Sequence, residues 1–545
     1  MRTTKENNIE KEAVAAGGYA HQREIPVWAK VMQSCRLQMD AWIRETMERE
    51  GRIPLIGITD EFTFMMSWIP HYFLTGNETM RAFMFEMRNR WRAWTGNEFY
   101  HGFYKGGAEE HHHTENYKRF LARLWYLDPY DSFNTQLIED FVHHLGNWVD
   151  GIPKWYDWSK HRFINRFLGT IWVGEPKDQH NDPGFFRYIL LSYLAYLASG
   201  KRCYLDLCVD YADQWCRILA DVPAKDPLPS IMDADWRCLE PTQNPREYMM
   251  GGFTGLMLDL FLLTGKEQYA AAVKRVIEAC LRNDPDGSFI DNVFPAHLGS
   301  YRMVTGDTSF DETIRRAASD ALSCPLPVGV RTKNMAPTMT FEWDYGKKMP
   351  PDLKQFGPSF LTLAYQVSGD EDYITRALEL AALRLELARS IGNNSRTWGC
   401  ANGSTNGMVL ENMYPCLYAA TMGLTGLCQR GVGHHKPLLL WYKQDGSLGL
   451  PPDMAVLFKF TDRNERRVRA VNLGNDCLTV RAVAMDGLML RRKDGLPYTL
   501  QGKWPLSSLT TLPQMCSPPW EEVAGYILRL APGEEREFSI PVPIS

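Results

Sequence analysis

One short phrase recurs along this chain and limits what it can fold into. An apolar helical stretch ends in Thr or Ser followed by Gly, then one or two polar residues, then an aromatic residue that opens another helix. The phrase appears at Phe73-Leu74-Thr75-Gly76-Asn77, at Leu197-Ala198-Ser199-Gly200-Lys201 with Tyr204, and at Leu262-Leu263-Thr264-Gly265-Lys266 with Tyr269. It returns at Met303-Val304-Thr305-Gly306-Asp307 with Phe310, at Gln366-Val367-Ser368-Gly369-Asp370 with Tyr373, and in part at Met422-Gly423-Leu424-Thr425-Gly426. Leu127-Asp128-Pro129-Tyr130 holds the equivalent place between Gly76 and Gly200, which makes seven turns. Glycine suits the residue just past a helix, where a left-handed conformation carries no Cβ penalty. Each phrase therefore predicts a tight antiparallel helix hairpin, and repetition predicts a stack of them.

The two helices of a hairpin differ in character. The leading one is apolar nearly all round, as in Gly255-Leu256-Met257-Leu258-Asp259-Leu260-Phe261-Leu262-Leu263. The following one is amphipathic, as over Tyr269 to Leu281 with Lys274, Arg275 and Glu278 interposed. The leading helices thus belong to an inner ring and the following ones to an outer ring. A helix predicted from about Pro26 to Glu50 lacks an inner partner, and the last inner helix, around Met408 to Met422, lacks an outer one. Pairing them would close the ring. The reading is a mainly α chain, an (α/α)6 or (α/α)7 toroid over residues 25–430 after a polar segment 1–24. After Gly431, short β-rich runs separated by Gly, Pro and Asp predict a small antiparallel β-sandwich over 431–545.

This combination resembles the α/α-toroid carbohydrate-active enzymes, which include glycoside hydrolases and polysaccharide lyases and often carry a β-sandwich beside the toroid. The resemblance lies in the turns and the domain order, with no diagnostic family motif. It implies an active site in the toroid mouth, at the end opposite the tight turns.

The segments leading into the inner helices are dense in polar residues at that end. They hold Asp60 and Glu61; Glu109 to Tyr117, with His111, His113, Glu115, Asn116 and Tyr117; His180 and Asn181; Arg246; Tyr301 and Arg302, with His297; Glu342, Trp343 and Asp344; and Trp398. Hydrolysis of a glycosidic bond needs one carboxylic acid to protonate the leaving oxygen and a second carboxylate to activate water or attack. Asp60, Glu115, Glu342 and Asp344 supply that pool, with His111 and His180 as acid/base partners. Glu61, His113, Asn116, Tyr117, Asn181, Arg246, Tyr301, Arg302, Trp343 and Trp398 are assigned to substrate binding, the two indoles as stacking platforms.

Elimination from a uronate is the alternative. His111, His180 or Tyr117 would serve as base, and Asn116 or Arg302 would neutralise the carboxylate. A third reading is a glycan-binding or scaffold protein without catalysis. His111 and Glu115 share a helix face, but no second ligand cluster joins them, so the reading includes no metal and no cofactor.

Composition supports this frame. A net charge of −5 offers no platform for nucleic acid, and no apolar run reaches membrane-spanning length. Twelve scattered Cys without a CxxC pair, and a polar start without an apolar leader core, point to a cytoplasmic protein. The 17 Trp, 24 Tyr and 25 Phe suit sugar binding, although most of these rings must fill the core.

Overall fold

A computed structural model describes residues 24–50, 65, 68–94, 99–100, 103–104, 106, 124, 127–128, 131–285, 289, 293–319, 321–322, 357–394, 417, 439–460, 465–484, 490–491, 497–498 and 526–541. The helices are α1 (Val27–Glu50), α2 (Trp68–Thr75), α3 (Glu78–Trp94), α4 (Ser132–Val142), α5 (Phe186–Ser199), α6 (Arg202–Asp221) and α7 (Arg246–Gly251). They continue with α8 (Phe253–Thr264), α9 (Glu267–Asn283), α10 (Val293–Thr305), α11 (Asp311–Ala318), α12 (Pro358–Ser368) and α13 (Glu371–Asn394). Four small hairpins are formed by β1 (Phe99–Tyr100) with β2 (Phe103–Tyr104), β3 (Tyr156–Asp157) with β4 (Arg162–Phe163), β5 (Pro229–Met232) with β6 (Cys238–Pro241), and, after the strands below, β11 (Leu490–Arg491) with β12 (Pro497–Tyr498).

Five of the expected turns are present and share one design. Gly76, Gly200, Gly265, Gly306 and Gly369 all have φ between 69° and 81°. Each donates its N–H to the carbonyl four residues back, Tyr72, Tyr196, Phe261, Arg302 and Tyr365, at 2.7 to 2.9 Å. The hydroxyl before each glycine has its own task. Thr75, Ser199, Thr264, Thr305 and Ser368 donate to the carbonyl four residues earlier, within 2.6 to 2.8 Å. Four of these oxygens also accept the N–H two residues on, from Lys201, Lys266, Asp307 and Asp370. One side chain thus satisfies groups on both sides of the turn that neither helix can pair.

The aromatic residue that opens the following helix reaches to the previous hairpin. Tyr204 donates to Glu139 on α4, Tyr269 to Asp213 on α6, and Tyr373 to the Ala318 carbonyl of α11. Lys201 and Lys266 add ion pairs to the same two carboxylates. The leading helices are buried almost all round. Eleven of the fourteen residues of α5 are inaccessible, whereas α6 buries one face through Tyr204, Leu207, Cys208, Tyr211, Trp215 and Leu219.

Consecutive leading helices touch in the order α5, α8, α10, α12, and the following helix α6 touches α9. Helix α1 lies along α13 and also meets α3, so it bridges the last and first of the described hairpins. Its expected partner around residues 408–422 lies outside the described residues apart from the buried Leu417, and so do Pro129 and Tyr130 of the expected third turn and the whole seventh turn. Leu127 and Asp128 of the third turn both donate to the Leu124 carbonyl, and Asp131 caps α4 by accepting the Asn134 N–H at 2.8 Å.

The C-terminal strands are β7 (Leu439–Lys443), β8 (Met454–Phe460), β9 (Glu465–Asn472), β10 (Leu478–Ala484), β13 (Tyr526–Leu530) and β14 (Glu535–Pro541). They form two antiparallel sheets ordered β13-β10-β7 and β14-β9-β8, with Val468 of β9 facing Phe458 on one side and Phe538 on the other. Tyr526 of the first sheet stacks on Phe538 of the second at 4.4 Å.

These sheets dock on the tight-turn end of the helices. Leu450 N–H donates to the Leu74 carbonyl at 2.8 Å, and the Gln366 amide to the Phe458 carbonyl at 2.7 Å. The buried Arg36 guanidinium donates to the Leu450 and Pro451 carbonyls, both at 2.8 Å. A single apolar cluster runs from Trp28 to Ile540 through both parts. No helix among the described residues is long and apolar enough to cross a membrane.

Candidate functional site

Because the tight turns close one end of each hairpin, the leading helices begin at the other end, and the long connections gather there. Before α5, Asp182 accepts the Gly184 N–H at 2.6 Å and Pro183 follows, an arrangement that starts a helical turn. Gly251, at the end of α7, lets the Pro183 carbonyl approach so closely that a Cβ there would overlap it. Tyr248 donates to the Pro229 carbonyl at 2.5 Å and Ser230 to Glu247 at 3.0 Å, which fastens the β5–β6 hairpin to α7.

Two adjacent leading helices place a polar pair at their beginnings. Thr254 is the second residue of α8, a helix that starts directly after the left-handed Gly252, and His297 lies one turn into α10. Thr254 Oγ1 and His297 Nδ1 are 2.7 Å apart, and both side chains are buried. His297 Nε2 is also buried and has no hydrogen-bond partner among the described residues. Burial lowers the His297 pKa to about 4, so the ring is neutral at ordinary pH. If Thr254 donates to Nδ1, Nε2 carries a proton to give. If Nδ1–H donates to Thr254, Nε2 is an acceptor. Either way one ring nitrogen is poised for a hydrogen bond that no described residue supplies, and leaving it unmade would cost about 1–3 kcal/mol.

The site residues expected from sequence divide into two groups. Asp60, Glu61, His111, His113, Glu115, Asn116, Tyr117, Glu342, Trp343, Asp344 and Trp398 lie outside the described residues. His180, Asn181, Arg246, Tyr301 and Arg302 are described, and they do not converge.

His180 is half-buried in the connection before α5, its N–H on the Asp178 carbonyl at 2.9 Å. Asn181 is fully buried. Its side chain donates to the Phe163 carbonyl at 2.7 Å and accepts the Phe163 N–H at 3.0 Å, while its backbone bridges to Met232. That amide holds β4 and β5 together instead of facing a substrate. Arg246 pairs with Asp284 at 3.2 Å, between α7 and the end of α9.

Tyr301 and Arg302 need a correction of place. They sit in the last turn of α10, and at 1.5 Å per residue they are about 12 Å beyond its start. There Tyr301 donates to Asp307 at 2.8 Å, and Arg302 makes a bidentate pair with Asp311 at 2.7 and 2.9 Å. They brace the Gly306 turn, at the end opposite the one expected to carry a site.

His297 appears in the same polar group in the sequence, but nothing separates it there from its neighbours. Its only signal is position: eight residues earlier than Thr305-Gly306, it falls near the helix start. Thr254 gives no signal beyond following Gly251-Gly252. Among the described residues, no group of three His, Cys, Asp or Glu is placed to hold a metal. Comparison of the chain with protein-family models, curated proteins and solved structures finds no match.

Proposed function

We propose that this protein is a carbohydrate-active enzyme that cleaves glycosidic bonds of an oligosaccharide, uronate-containing ones included, by acid/base hydrolysis. In this reading the hairpins close into an α/α toroid, with α1 completing the outer ring and the C-terminal sheets packed as a β-sandwich under its tight-turn end. The contact of α1 with both α13 and α3 supports the closure.

The observation that carries the reading is the His297–Thr254 pair at the beginnings of two adjacent leading helices, with a buried ring nitrogen that no described residue satisfies. A substrate hydroxyl is a natural complement to a neutral imidazole. In this reading Asp60, Glu115, Glu342 and Asp344 provide the acid and base on other hairpins, and His297 orients the sugar between them. Hydrolysis is preferred to elimination because Arg302 and Tyr301, two groups suited to handling a uronate, are engaged with Asp311 and Asp307 at the far end.

A screen of neutral and uronate-containing oligosaccharides tests this. New reducing ends without the ultraviolet absorbance of a conjugated double bond are expected. Asp60→Asn, Glu115→Gln and Glu342→Gln should include at least one variant that loses turnover by a hundredfold or more, and His297→Gln should raise KM. Double-bond absorbance would replace hydrolysis by elimination, and full turnover in every variant would remove the site assignment.

A further inference from the structure

We propose that Trp148 and Trp158 form a second carbohydrate-binding surface, beside the following helix α6, which takes one or two sugar rings by stacking. Among the described residues Trp148, Trp158 and Trp172 are 37%, 38% and 48% exposed, and the first two lie side by side. Their rings lie 6.4 Å apart at 54° to one another, inside a continuous row. Tyr204 packs edge-on against Trp148 at 5.2 Å, and Tyr156 against Trp158 at 5.0 Å.

The pair is built rigidly. Asn147 adopts a left-handed conformation, φ 63°, unusual for a residue with a side chain. Its Nδ2 donates to the Tyr156 carbonyl at 2.6 Å, and its Oδ1 accepts the N–H groups of Trp155 and Tyr156 at 2.7 and 3.1 Å. The Trp158 indole N–H donates to the Gly146 carbonyl at 3.2 Å. Gly146 has no side chain where the Trp148 ring lies, and a Cβ there would overlap it. Both loops are thereby fixed to each other before any ligand arrives, which lowers the entropy lost on binding. Beside them, Asp210 accepts Tyr156 OH and pairs with His161 Nδ1, both at 2.7 Å, which holds a half-exposed imidazole at the edge of the row.

The size of the patch selects the occupant. A large aromatic side chain presents at most about 250 Å², so these exposures leave roughly 100 Å² per ring and about 200 Å² for the pair. A stable protein interface needs about 800 Å² per partner. Two fixed, partly exposed indoles flanked by hydrogen-bonding groups match the apolar C–H face and equatorial hydroxyls of a pyranose instead. The contact with Tyr204 places Trp148 near the Gly200 turn, while Tyr156, beside Trp158, bonds Asp210 about 12 Å along α6, so the patch runs beside the following helix.

The test is titration of the full chain with hexasaccharides of β-1,4-glucose, α-1,4-glucose, β-1,4-xylose and α-1,4-galacturonate, followed by calorimetry and indole saturation-transfer signals. Trp148→Ala and Trp158→Ala should each weaken binding of at least one hexasaccharide tenfold or more. Gly146→Ala keeps both indoles but displaces one, and it should do the same. Unchanged thermal unfolding of these variants shows that they fold. The proposal fails if none of the four sugars binds, if affinity is indifferent to all three substitutions, or if sedimentation shows that the substitutions instead dissolve a dimer. Binding is read without turnover, so a failure of the hydrolytic reading leaves this result interpretable.

Discussion

Gly76 and Gly265 have the same φ, 69°, but different surroundings, so the same substitution should have different costs. No heavy atom lies within 4 Å of a Cβ added to Gly265. Alanine there meets only the left-handed penalty, about 1–2 kcal/mol, partly offset by a less flexible unfolded chain. At Gly76 the added Cβ would overlap the Leu448 carbonyl oxygen and sit 2.8 Å from its carbon. Both are backbone atoms, and no rotamer change relieves the overlap. The loop 448–450 must retreat, straining the Leu450 to Leu74 hydrogen bond of 2.8 Å and the Lys443 ammonium on the Thr75 carbonyl at 3.3 Å. Adding an overpacking cost of about 1–3 kcal/mol puts Gly76→Ala at about 2–4 kcal/mol against about 1 for Gly265→Ala. Urea midpoints measure the difference, and hydrogen exchange locates it. Peptides over 439–450 and 68–76 should exchange faster in Gly76→Ala and unchanged in Gly265→Ala. Equal midpoints with unaltered exchange over 439–450 would refute the argument that the sheets are seated on this turn.

Three further outcomes are expected. His297 is held at about 4 in the folded state, below its ordinary 6.5, so its contribution to stability is complete above pH 6.5 and is lost as pH falls toward 4, by up to about 1.4 kcal/mol per unit; His297→Gln should flatten that part of the urea-midpoint profile, and parallel profiles would exclude the buried neutral ring. Asp213 accepts from Tyr269, Gln268 and Lys266, so Asp213→Ala should cost about 2–3 kcal/mol and Tyr269→Phe about half as much, with the double variant less than additive; strict additivity in denaturation would deny the link between hairpins. Alkylation mapped by mass spectrometry should reach the exposed Cys238 and Cys477 in the native protein, whereas Cys35 and Cys216, whose thiols burial pushes up to about 12, should react only on unfolding; native labelling of Cys35 at the rate of Cys477 would contradict the packing of α1.

The hairpin turns were legible in the sequence because their causes are local. A left-handed glycine, a hydroxyl that serves both flanking helices and an aromatic three residues into the next helix all fall within about ten positions. The layer formed by residues 143–163 left no such trace. It is held by Asn147 on Tyr156, Asp210 on His161 and Asn181 on Phe163, side-chain bonds that join separate segments and create no periodicity. Tyr301 and Arg302 show the opposite case, since counting five and four residues back from Gly306 already puts them in the last turn of a helix. Polar character alone misassigned them, because bracing a turn calls for the same residue types as binding a sugar. The sharpest cluster in the sequence, Glu109 to Tyr117, lies outside the described residues.

Helix α1 sets a timetable for the ribosome. The Cys35 thiol meets the Leu378 carbonyl and Arg36 meets Leu450, partners made 343 and 414 residues later. At about 5–20 residues per second, roughly 20–80 s pass between synthesis of the arginine and synthesis of its acceptor. Helices α2 and α3 soon reach α1, through His71 on Asp40 and direct packing, but the surfaces that α13 and the C-terminal sheets give it come only late in that interval. The hairpins behind it can form one by one as they emerge, but α1, the first of the described helices, is completed among the last, and the part of it that meets α13 must be shielded while it waits.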